Sequence, residues 1–249
     1  MENRPDISLK NVSRKYLISP KTIDSEIVKD ALVSVSLLNK IENYYVVGGV
    51  TTQSYLPSLC RRETSDLDLC FVRPLAYSDF REIIKPLQNC LLDLGYTNFK
   101  TSKGSRAFSL NFASMCGDNL SIEAPRRNSK NINHNIDRLN REHSNKRKKI
   151  IEERDETYFV CAPEDIALPK LVRLTNAINR SPYLLGFLPC SIEKLSDEII
   201  KGKLKRINEL REEVMRNPGD YELSERLRFK SDLFDIRILE IIRKRLERY

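Results

Sequence analysis

Two groups of residues in the first third of the sequence have the types and spacing needed to hold a nucleotide and a metal ion. The apolar run 44–47 ends at Gly48 and Gly49, and glycines let backbone N–H groups approach a phosphate at the start of a following helix. Asp66 and Asp68 alternate with leucines, so in a strand both acids point to one face. Mg²⁺ prefers one or two protein carboxylates together with phosphate oxygens and water. The pattern therefore predicts a site for a nucleoside triphosphate and Mg²⁺, with Mn²⁺ as an alternative metal.

The order of the elements supports this interpretation more strongly than the acids do. An Asp-x-Asp triplet is by itself typical of an ordinary half-exposed strand. Here a Gly-Gly turn closes one apolar strand, a helix of about ten residues or ~15 Å follows, and a second strand carries the acids. This succession predicts that the glycines and the carboxylates meet at one end of a sheet.

The glycine pair followed by a two-acid strand resembles the DNA polymerase β-like nucleotidyltransferases. Three segments narrow the resemblance to the AbiEii-type toxins of abortive-infection toxin–antitoxin systems: RETSDLDL at 62–69, APEDIALPK at 162–170 and KSDLFD at 230–235. The resemblance covers most of residues 44–240. It implies an α/β (α+β) fold, in which a polymerase β-like core with a small mixed sheet flanked by helices is joined to a C-terminal helical region.

We expect two domains from this pattern. Residues 1–150 are predicted to form the nucleotidyltransferase core with an N-terminal helix, and residues 151–249 a mainly helical domain. Residues 191–215 and 221–249 have the apolar spacing of two long amphipathic helices. The stretch 180–228 is longer than in the family, and we interpret it as an insertion that shapes substrate choice.

The resemblance also implies which residues contact the nucleotide or act in catalysis. They are Gly48, Gly49, Arg62, Thr64, Asp66, Asp68, Glu123, Lys170 and Asp232. Lys170 would contact the triphosphate, where a compact cation offsets phosphate charge, although a surface lysine is the alternative. Pro169 precedes it and is expected to bend the helix that begins at Pro163. Asp232 would hold Lys170 or a metal-bound water, or pair with an arginine on its own helix, Arg228 or Arg237.

A third carboxylate is expected from the hairpin predicted at 106–113 and 119–124. Glu123 lies in its second strand and would join the two aspartates at the metal and help deprotonate the attacking hydroxyl. The alternative is an ordinary cross-strand ion pair of Glu123 with Arg106, Arg126 or Arg127. Asp118 is a less favoured substitute.

Positive charge is concentrated in residues 126–149, which contain nine basic and two acidic residues within a chain of net charge +8. One interpretation is a solvated, mobile loop. The other is a basic strip that binds RNA through its phosphates. The residues expected to contact RNA are Arg126, Arg127, Lys146, Arg147, Lys148 and Lys149. Such a polar sequence is expected to lack a packed core and to order on binding.

Composition excludes several other classes of protein. The six cysteines are scattered without a Cys-x-x-Cys pair, which argues against zinc and against a disulfide framework, and two histidines make a histidine-centred triad a poor expectation. No stretch of about 18 apolar residues predicts a membrane span, and the N-terminus is polar. We expect a cytoplasmic protein that does not enter membranes.

Together these features predict Mg²⁺-dependent transfer of a nucleoside monophosphate from a triphosphate to an acceptor hydroxyl, with release of pyrophosphate. The basic strip favours RNA as the acceptor, and the resemblance favours a transfer RNA 3′ end and implies a cognate antitoxin. Two alternatives stay open: a protein hydroxyl as the acceptor, and a non-catalytic RNA- or protein-binding module on a degenerate nucleotidyltransferase fold.

Overall fold

A computed structural model describes residues 25–56, 60–62, 64, 66–105, 107–125, 132–188 and 197–246. The chain divides into two compact units. We call the described residues within 18–54 and 64–163 the sheet unit, and those within 55–63 and 164–249 the helical unit.

Within the described residues, the sheet unit contains one seven-stranded mixed sheet in the order β3-β4-β5-β2-β1-β7-β6. Strand β1 pairs antiparallel with β2 and parallel with β7, and β2 pairs parallel with β5. The strands are β1 Tyr44–Val47, β2 Asp66–Phe71, β3 Thr97–Lys103, β4 Ala107–Ala113, β5 Asn119–Pro125, β6 Lys149–Glu153 and β7 Glu156–Val160. This sheet, its flanking helices and the helical unit confirm the α/β fold class predicted from the sequence.

Alternation of side chains gives the central strands one apolar face. Leu67 of β2, Leu110 of β4 and Ile122 of β5 are fully buried and lie on that face, because Leu67 and Leu110 are both register partners of Ile122. Helix α3 covers it, with the rings of Phe80 and Phe108 5.6 Å apart between centroids. The opposite face of β2 and β5 therefore carries the polar residues.

The helices of the sheet unit follow the apolar spacing of their sequences. They are α1 Glu26–Ser36, extended by a 3₁₀ turn at Leu37–Lys40, α2 Gly48–Ser54, α3 Tyr77–Asp93 and α4 Ile132–Arg147. Helix α1 packs against α3, β5 and β7. Helix α2 has seven residues rather than the ten expected, and α3 continues through Pro86.

The helical unit is built around a small apolar core of Leu174, Ala177, Leu184 and Phe229. Its elements are α5 Pro163–Arg180, a 3₁₀ helix at Pro182–Phe187, α6 Asp197–Arg216 and α7 Tyr221–Leu246. Helix α5 begins at the predicted proline, whose fixed φ suits the first helical position, and it continues through Pro169 as one helix.

The two units divide the chain differently from the predicted domains. The expected boundary at residue 150 falls inside β6, because β6 pairs with β7 and Val160 of β7 pairs with Val46 of β1. Backbone hydrogen bonds of this ladder hold the chain in the sheet unit up to residue 163. The described residues within 55–63, predicted as part of the core, group with the helical unit instead.

Two further expectations concern the basic strip and the membrane. Residues 132–147 form helix α4 rather than a loop, and Arg141 on it is buried, so this part of the strip packs against the sheet unit without a partner molecule. In the part of the chain that the structure describes, no helix combines the length and the apolar content needed to cross a membrane.

Candidate active site

The register of the sheet places the three predicted acids on one face, which we call the acid face. Asp68 of β2 is the register partner of Glu123 of β5, and Asp66 is the partner of Ser121. Neighbouring strands lie about 4.8 Å apart, so the side chains of register partners are adjacent. All three acids are half-buried, whereas Leu67 between the two aspartates is fully buried on the other face. The acids are therefore anchored by the core and accessible to solvent.

Hydroxyl groups hold two of these carboxylates. The Thr64 hydroxyl donates to Oδ1 of Asp66 at 3.0 Å, and the Ser121 hydroxyl donates to Oε1 of Glu123 at 3.3 Å. Thr64 was predicted to contact the nucleotide, and its observed contact is with the acid at the start of β2. The Thr64 donor is neutral, so it orients the Asp66 carboxylate without offsetting its negative charge.

Gly48 is required where the chain leaves β1, and the reason is Asp68. Its φ of +73° lies in the left-handed region, which residues with a Cβ rarely adopt. A Cβ built on Gly48 would collide with the Asp68 carboxylate, lying 2.9 Å from its Cγ. Val47, the last residue of β1, is the register partner of Asp68. The first predicted glycine and the second predicted acid are thus brought into direct contact, with Gly49 next along helix α2.

Two of the acids are suitable ligands for a hard divalent cation such as Mg²⁺. Asp66 and Asp68 lie two residues apart on one strand face, which matches the one or two protein carboxylates that Mg²⁺ takes beside phosphate oxygens and water. Among the described residues, no three His, Cys, Asp or Glu side chains gather closely enough to hold a metal ion by themselves. Glu123 is therefore placed beside the pair by register without completing a three-acid cluster.

A row of neutral polar groups extends the acid face across β4 and β3. Ser109 is the register partner of both Glu123 and Ser102, and the two serine hydroxyl oxygens lie 2.7 Å apart. The Asn111 side chain donates to the Ser109 oxygen at 3.3 Å. The residues of this row were not predicted from the sequence. The polar residues at every second position of FSLNF could have indicated that they share a face.

Asp118, the substitute third acid, lies elsewhere. It is exposed in the turn between β4 and β5, outside the register that pairs β5 with β2. Its backbone N–H donates to the Ser114 hydroxyl. Of the two candidates, Glu123 is the one brought next to Asp68.

The helical unit holds the other predicted residues in a separate ion network, which we call the Asp232–Asp235 network. The Lys170 ammonium donates to Asp232 at 2.8 Å and to Asp235 at 2.9 Å. Arg173 donates two hydrogen bonds to Asp232, each at 2.9 Å. Arg62 donates two to Asp235, at 3.2 and 2.8 Å. Three cations thus contact two aspartates in this network.

Burial makes this network a structural feature of the helical unit. Asp235 is fully buried, and Lys170 and Asp232 are 2% and 4% exposed. Burial by itself would raise the pKa of Asp232, but the hydrogen bond from Arg173 and the positive charges of Lys170 and Arg173 outweigh it and hold the pKa below its ordinary value. Lys170 is therefore not a surface lysine, and Asp232 pairs with Lys170 and Arg173 rather than with Arg228 or Arg237.

The RNA-binding residues predicted in the basic strip differ in how they are placed. Lys146 and Arg147 are exposed at the end of α4. Lys148 instead lies 3.8 Å above the Phe159 ring, where burial lowers its pKa, and Lys149 is half-buried in β6. Arg126 and Arg127 lie outside the described residues.

The buried Arg141 explains how part of the strip is held. It donates from Nη1 to the backbone carbonyl oxygens of Phe71 and Val72 at 3.1 and 2.6 Å, at the end of β2. A guanidinium that satisfies orphan carbonyls in this way fixes helix α4 to the sheet. Among the described residues of the strip, Arg141 is therefore not part of an exposed basic surface.

Comparison with known proteins gives little beyond these observations. No protein-family model and no curated protein matches the chain. One solved structure that is similar is an antigenic nucleotidyltransferase-like protein from Paracoccidioides brasiliensis, with 12% sequence identity and a TM-score of 0.40. The alignment covers 84% of this chain and 94% of that one.

Proposed function

We propose that the protein is a Mg²⁺-dependent nucleotidyltransferase, which transfers a nucleoside monophosphate from a triphosphate to an acceptor hydroxyl. The observation that carries the proposal is the acid face: Asp66 and Asp68 side by side on β2, Glu123 in register with Asp68, and Gly48 directly against the Asp68 carboxylate. An ordinary half-exposed strand has no need for a positive-φ glycine under one of its acids.

In the proposed reaction, the acceptor oxygen forms a bond to the α-phosphorus, and the bond from that phosphorus to the β-phosphate oxygen breaks. The electron pair of the broken bond leaves with pyrophosphate, and the proton of the acceptor hydroxyl passes to the carboxylate of Glu123. Ser121 orients that carboxylate through its hydrogen bond. A positioned base of this kind contributes about 10²- to 10⁴-fold in rate.

The two aspartates would hold the metal. When bound, Mg²⁺ offsets the negative charge that develops on the phosphate oxygens. Thr64 fixes Asp66, and the glycine pair keeps side chains away from the neighbourhood of Asp68, so that Gly48 and Gly49 leave room for the triphosphate. The work of these residues is therefore orientation and electrostatics.

Arg62, Lys170 and Asp232 take a different part in this proposal. The resemblance gives Arg62 and Lys170 a role in neutralising the triphosphate, but each cation already has a carboxylate partner in the Asp232–Asp235 network. A nucleotide contact by either would need one of those ion pairs to open. We therefore assign them first to holding the helical unit together.

RNA is the proposed acceptor, and the resemblance favours a transfer RNA 3′ end. The resemblance also favours a role as a toxin with a cognate antitoxin. The support on the surface is the pair of exposed cations Lys146 and Arg147. Phosphate contacts by such residues give binding that weakens steeply with salt.

The test is incubation of the purified protein with Mg²⁺, total cellular RNA and each of four α-labelled nucleoside triphosphates. Asp66→Asn/Asp68→Asn is the inactive variant, and Asp118→Asn, an acid outside the register of β2, is the matched control. We expect label on RNA with the wild type and with Asp118→Asn, and none with the double variant.

Other outcomes would replace the proposal. Label on protein, dependent on the same two aspartates, would establish a protein hydroxyl as the acceptor. RNA binding without label under any condition, and without nucleotide binding, would contradict an enzymatic role and favour a binding module. The lack of a three-acid cluster among the described residues is the observation that favours this second candidate.

A further inference from the structure

The 3₁₀ helix of the helical unit presents an aromatic pair to a group of cations. The Lys230 ammonium lies 4.8 Å from the centroid of the Phe187 ring, and the Arg226 guanidinium carbon lies 5.5 Å from it. The ring of Tyr183 meets that of Phe187 edge-on at 6.4 Å and is 45% exposed. One ring is thus shared by two cations beside an exposed aromatic side chain.

A third cation lies at the same level of the helical hairpin. Helices α6 and α7 pack against each other across the turn at 217–220. Arg206 lies ten residues before the end of α6 at Arg216, and Lys230 lies nine residues after the start of α7 at Tyr221. At a rise of about 1.5 Å per residue, both are ~14 to 15 Å from the turn. We call Arg206, Arg226 and Lys230, with Tyr183 and Phe187, the Phe187 cluster.

The acids near this cluster do not neutralise it. Burial and then the charges of Arg226 and Arg206 lower the pKa of Lys230, and Glu213 opposes them only partly. Glu225 pairs with Arg180 at 2.8 Å and accepts a hydrogen bond from the Ser181 hydroxyl at 2.7 Å.

The cations themselves have unused binding capacity. Among the described residues, neither Arg206 nor Lys230 forms an ion pair, and Nε of Arg226 is buried without a hydrogen-bond partner. A cation above a ring is common in proteins, at roughly one instance per 70 to 80 residues, so one contact would mean little. Two cations on one ring, with a third beside them and no carboxylate paired to the group, concentrate positive charge in a form suited to binding an anion.

We propose that the Phe187 cluster is a binding site for single-stranded RNA, in which the three cations contact phosphates and Tyr183 stacks on a base. A positively charged surface with an exposed aromatic ring is the arrangement that single-stranded nucleic acids bind, because every base has a face that can stack. The inference rests on the proposed function for its choice of RNA, and it names a surface of the helical unit that holds the acceptor.

The test measures binding alone, without nucleotide or Mg²⁺, by fluorescence anisotropy of a labelled single-stranded RNA at several salt concentrations. Lys230→Gln and Arg206→Gln each remove one cation. Lys205→Gln is the matched control, because it removes the same charge from an adjacent, 79% exposed side chain. We expect each cluster variant to weaken binding and to reduce the salt slope by about 0.7, the value for one phosphate contact on a single strand, and Lys205→Gln to change neither.

Two further variants separate binding from folding. Lys230→Arg keeps the charge and is expected to restore both affinity and salt slope. Tyr183→Leu is expected to weaken binding about tenfold or more while leaving the salt slope unchanged, because it removes stacking and no charge. Far-ultraviolet circular dichroism and urea unfolding of each variant verify that the helical unit is intact.

Equal binding by Lys230→Gln and Lys205→Gln would overturn the inference. So would competition by polyglutamate at the same charge concentration as RNA, since that outcome assigns the cluster to an acidic protein instead. Failure of the proposed function would be a separate result. RNA binding that depends on the cluster, without any nucleotidyl transfer, would contradict the proposed enzymatic activity and support the RNA-binding site.

Discussion

The sheet unit and the helical unit each gather aspartates but give them different partners. On the acid face, Asp66 accepts a hydrogen bond from the neutral hydroxyl of Thr64 and is half-buried. In the Asp232–Asp235 network, Asp232 accepts hydrogen bonds from an ammonium and a guanidinium and is almost fully buried. The same side chain is therefore left able to bind a cation from solvent in one unit and is saturated with protein cations in the other.

This difference indicates what each group of acids does. A carboxylate oriented by a hydroxyl keeps its charge for a ligand, so its loss is expected to affect activity. A buried carboxylate with two cationic partners contributes through the partners that it satisfies, so its loss leaves buried positive charge behind. The resemblance implied a catalytic role for both Asp66 and Asp232, and the structure gives the two carboxylates different surroundings.

The largest expected effect on stability comes from Asp235→Asn. The change removes the charge that offsets Arg62 and Lys170 in a buried site, and breaking such a pair costs about 3 to 5 kcal/mol. Urea unfolding measures the loss. Glu209→Gln is the control, because it breaks an exposed ion pair with Lys205 and should change stability by about 0 to 1 kcal/mol. Equal losses from the two variants would mean that burial does not distinguish the network.

Asp66→Asn is expected to reduce activity and to leave stability unchanged. Transfer should fall about 10²- to 10³-fold, the usual loss for one preorganised electrostatic contact, while the urea midpoint stays that of the wild type. The measurement pairs the α-label assay with urea unfolding on one preparation. A stable variant that keeps its activity would remove Asp66 as a metal ligand, and an unstable one would erase the contrast with the helical unit.

Gly48→Ala sharpens the comparison within the acid face. It adds a Cβ at positive φ, costing about 1 to 2 kcal/mol, and pushes that atom into the Asp68 carboxylate. Gly117→Ala is a matched control, since Gly117 has a φ of +91° but open space around its missing Cβ. Both should lower the free energy of unfolding, and only Gly48→Ala should also reduce transfer. Unimpaired transfer in Gly48→Ala would show that the position of Asp68 is unimportant.

The smallest effect on stability is expected from lowering the pH until Asp232 is protonated. Because its pKa is lowered in the folded protein, its ionised form contributes stability above the ordinary value of 3.8, and that stability is lost as pH falls further through the folded pKa. The stability difference between wild type and Asp232→Asn should hold steady from about pH 7 to 5 and shrink below about pH 4. A difference that is constant down to pH 3 would contradict the lowered pKa.

Local patterns predicted the hairpin and several helices well. The hairpin expected at 106–113 and 119–124 is observed at Ala107–Ala113 and Asn119–Pro125, because alternating side chains and a turn at Gly117 are written in adjacent residues. The first helix of the helical unit begins at Pro163 as predicted. Both signals act over a few residues and need no distant partner.

Strands β3 and β6 were not predicted, because each depends on pairing with another strand rather than on a local pattern. The sequence TNFKTSK of β3 has few apolar residues, and its side chains are mostly exposed or half-exposed. Its structure comes from backbone pairing with β4. Strand β6 likewise forms by pairing with β7, and this pairing moved the boundary of the sheet unit beyond residue 150. Backbone hydrogen bonds to another strand do not require particular residue types, so a polar edge strand cannot be recognised from its sequence.

The sequence by itself determined the acid face, because alternation in a strand fixes which face each acid takes once its leucines are buried. It also identified Gly48, although only the structure gives the reason, the close approach of Asp68. The Asp232–Asp235 network was decided by tertiary structure alone: Arg62 and Asp235 are 173 positions apart, and nothing in either segment encodes their pairing. Burial then decided that Lys170 faces two aspartates, because a buried ammonium needs carboxylate partners to offset its lost hydration.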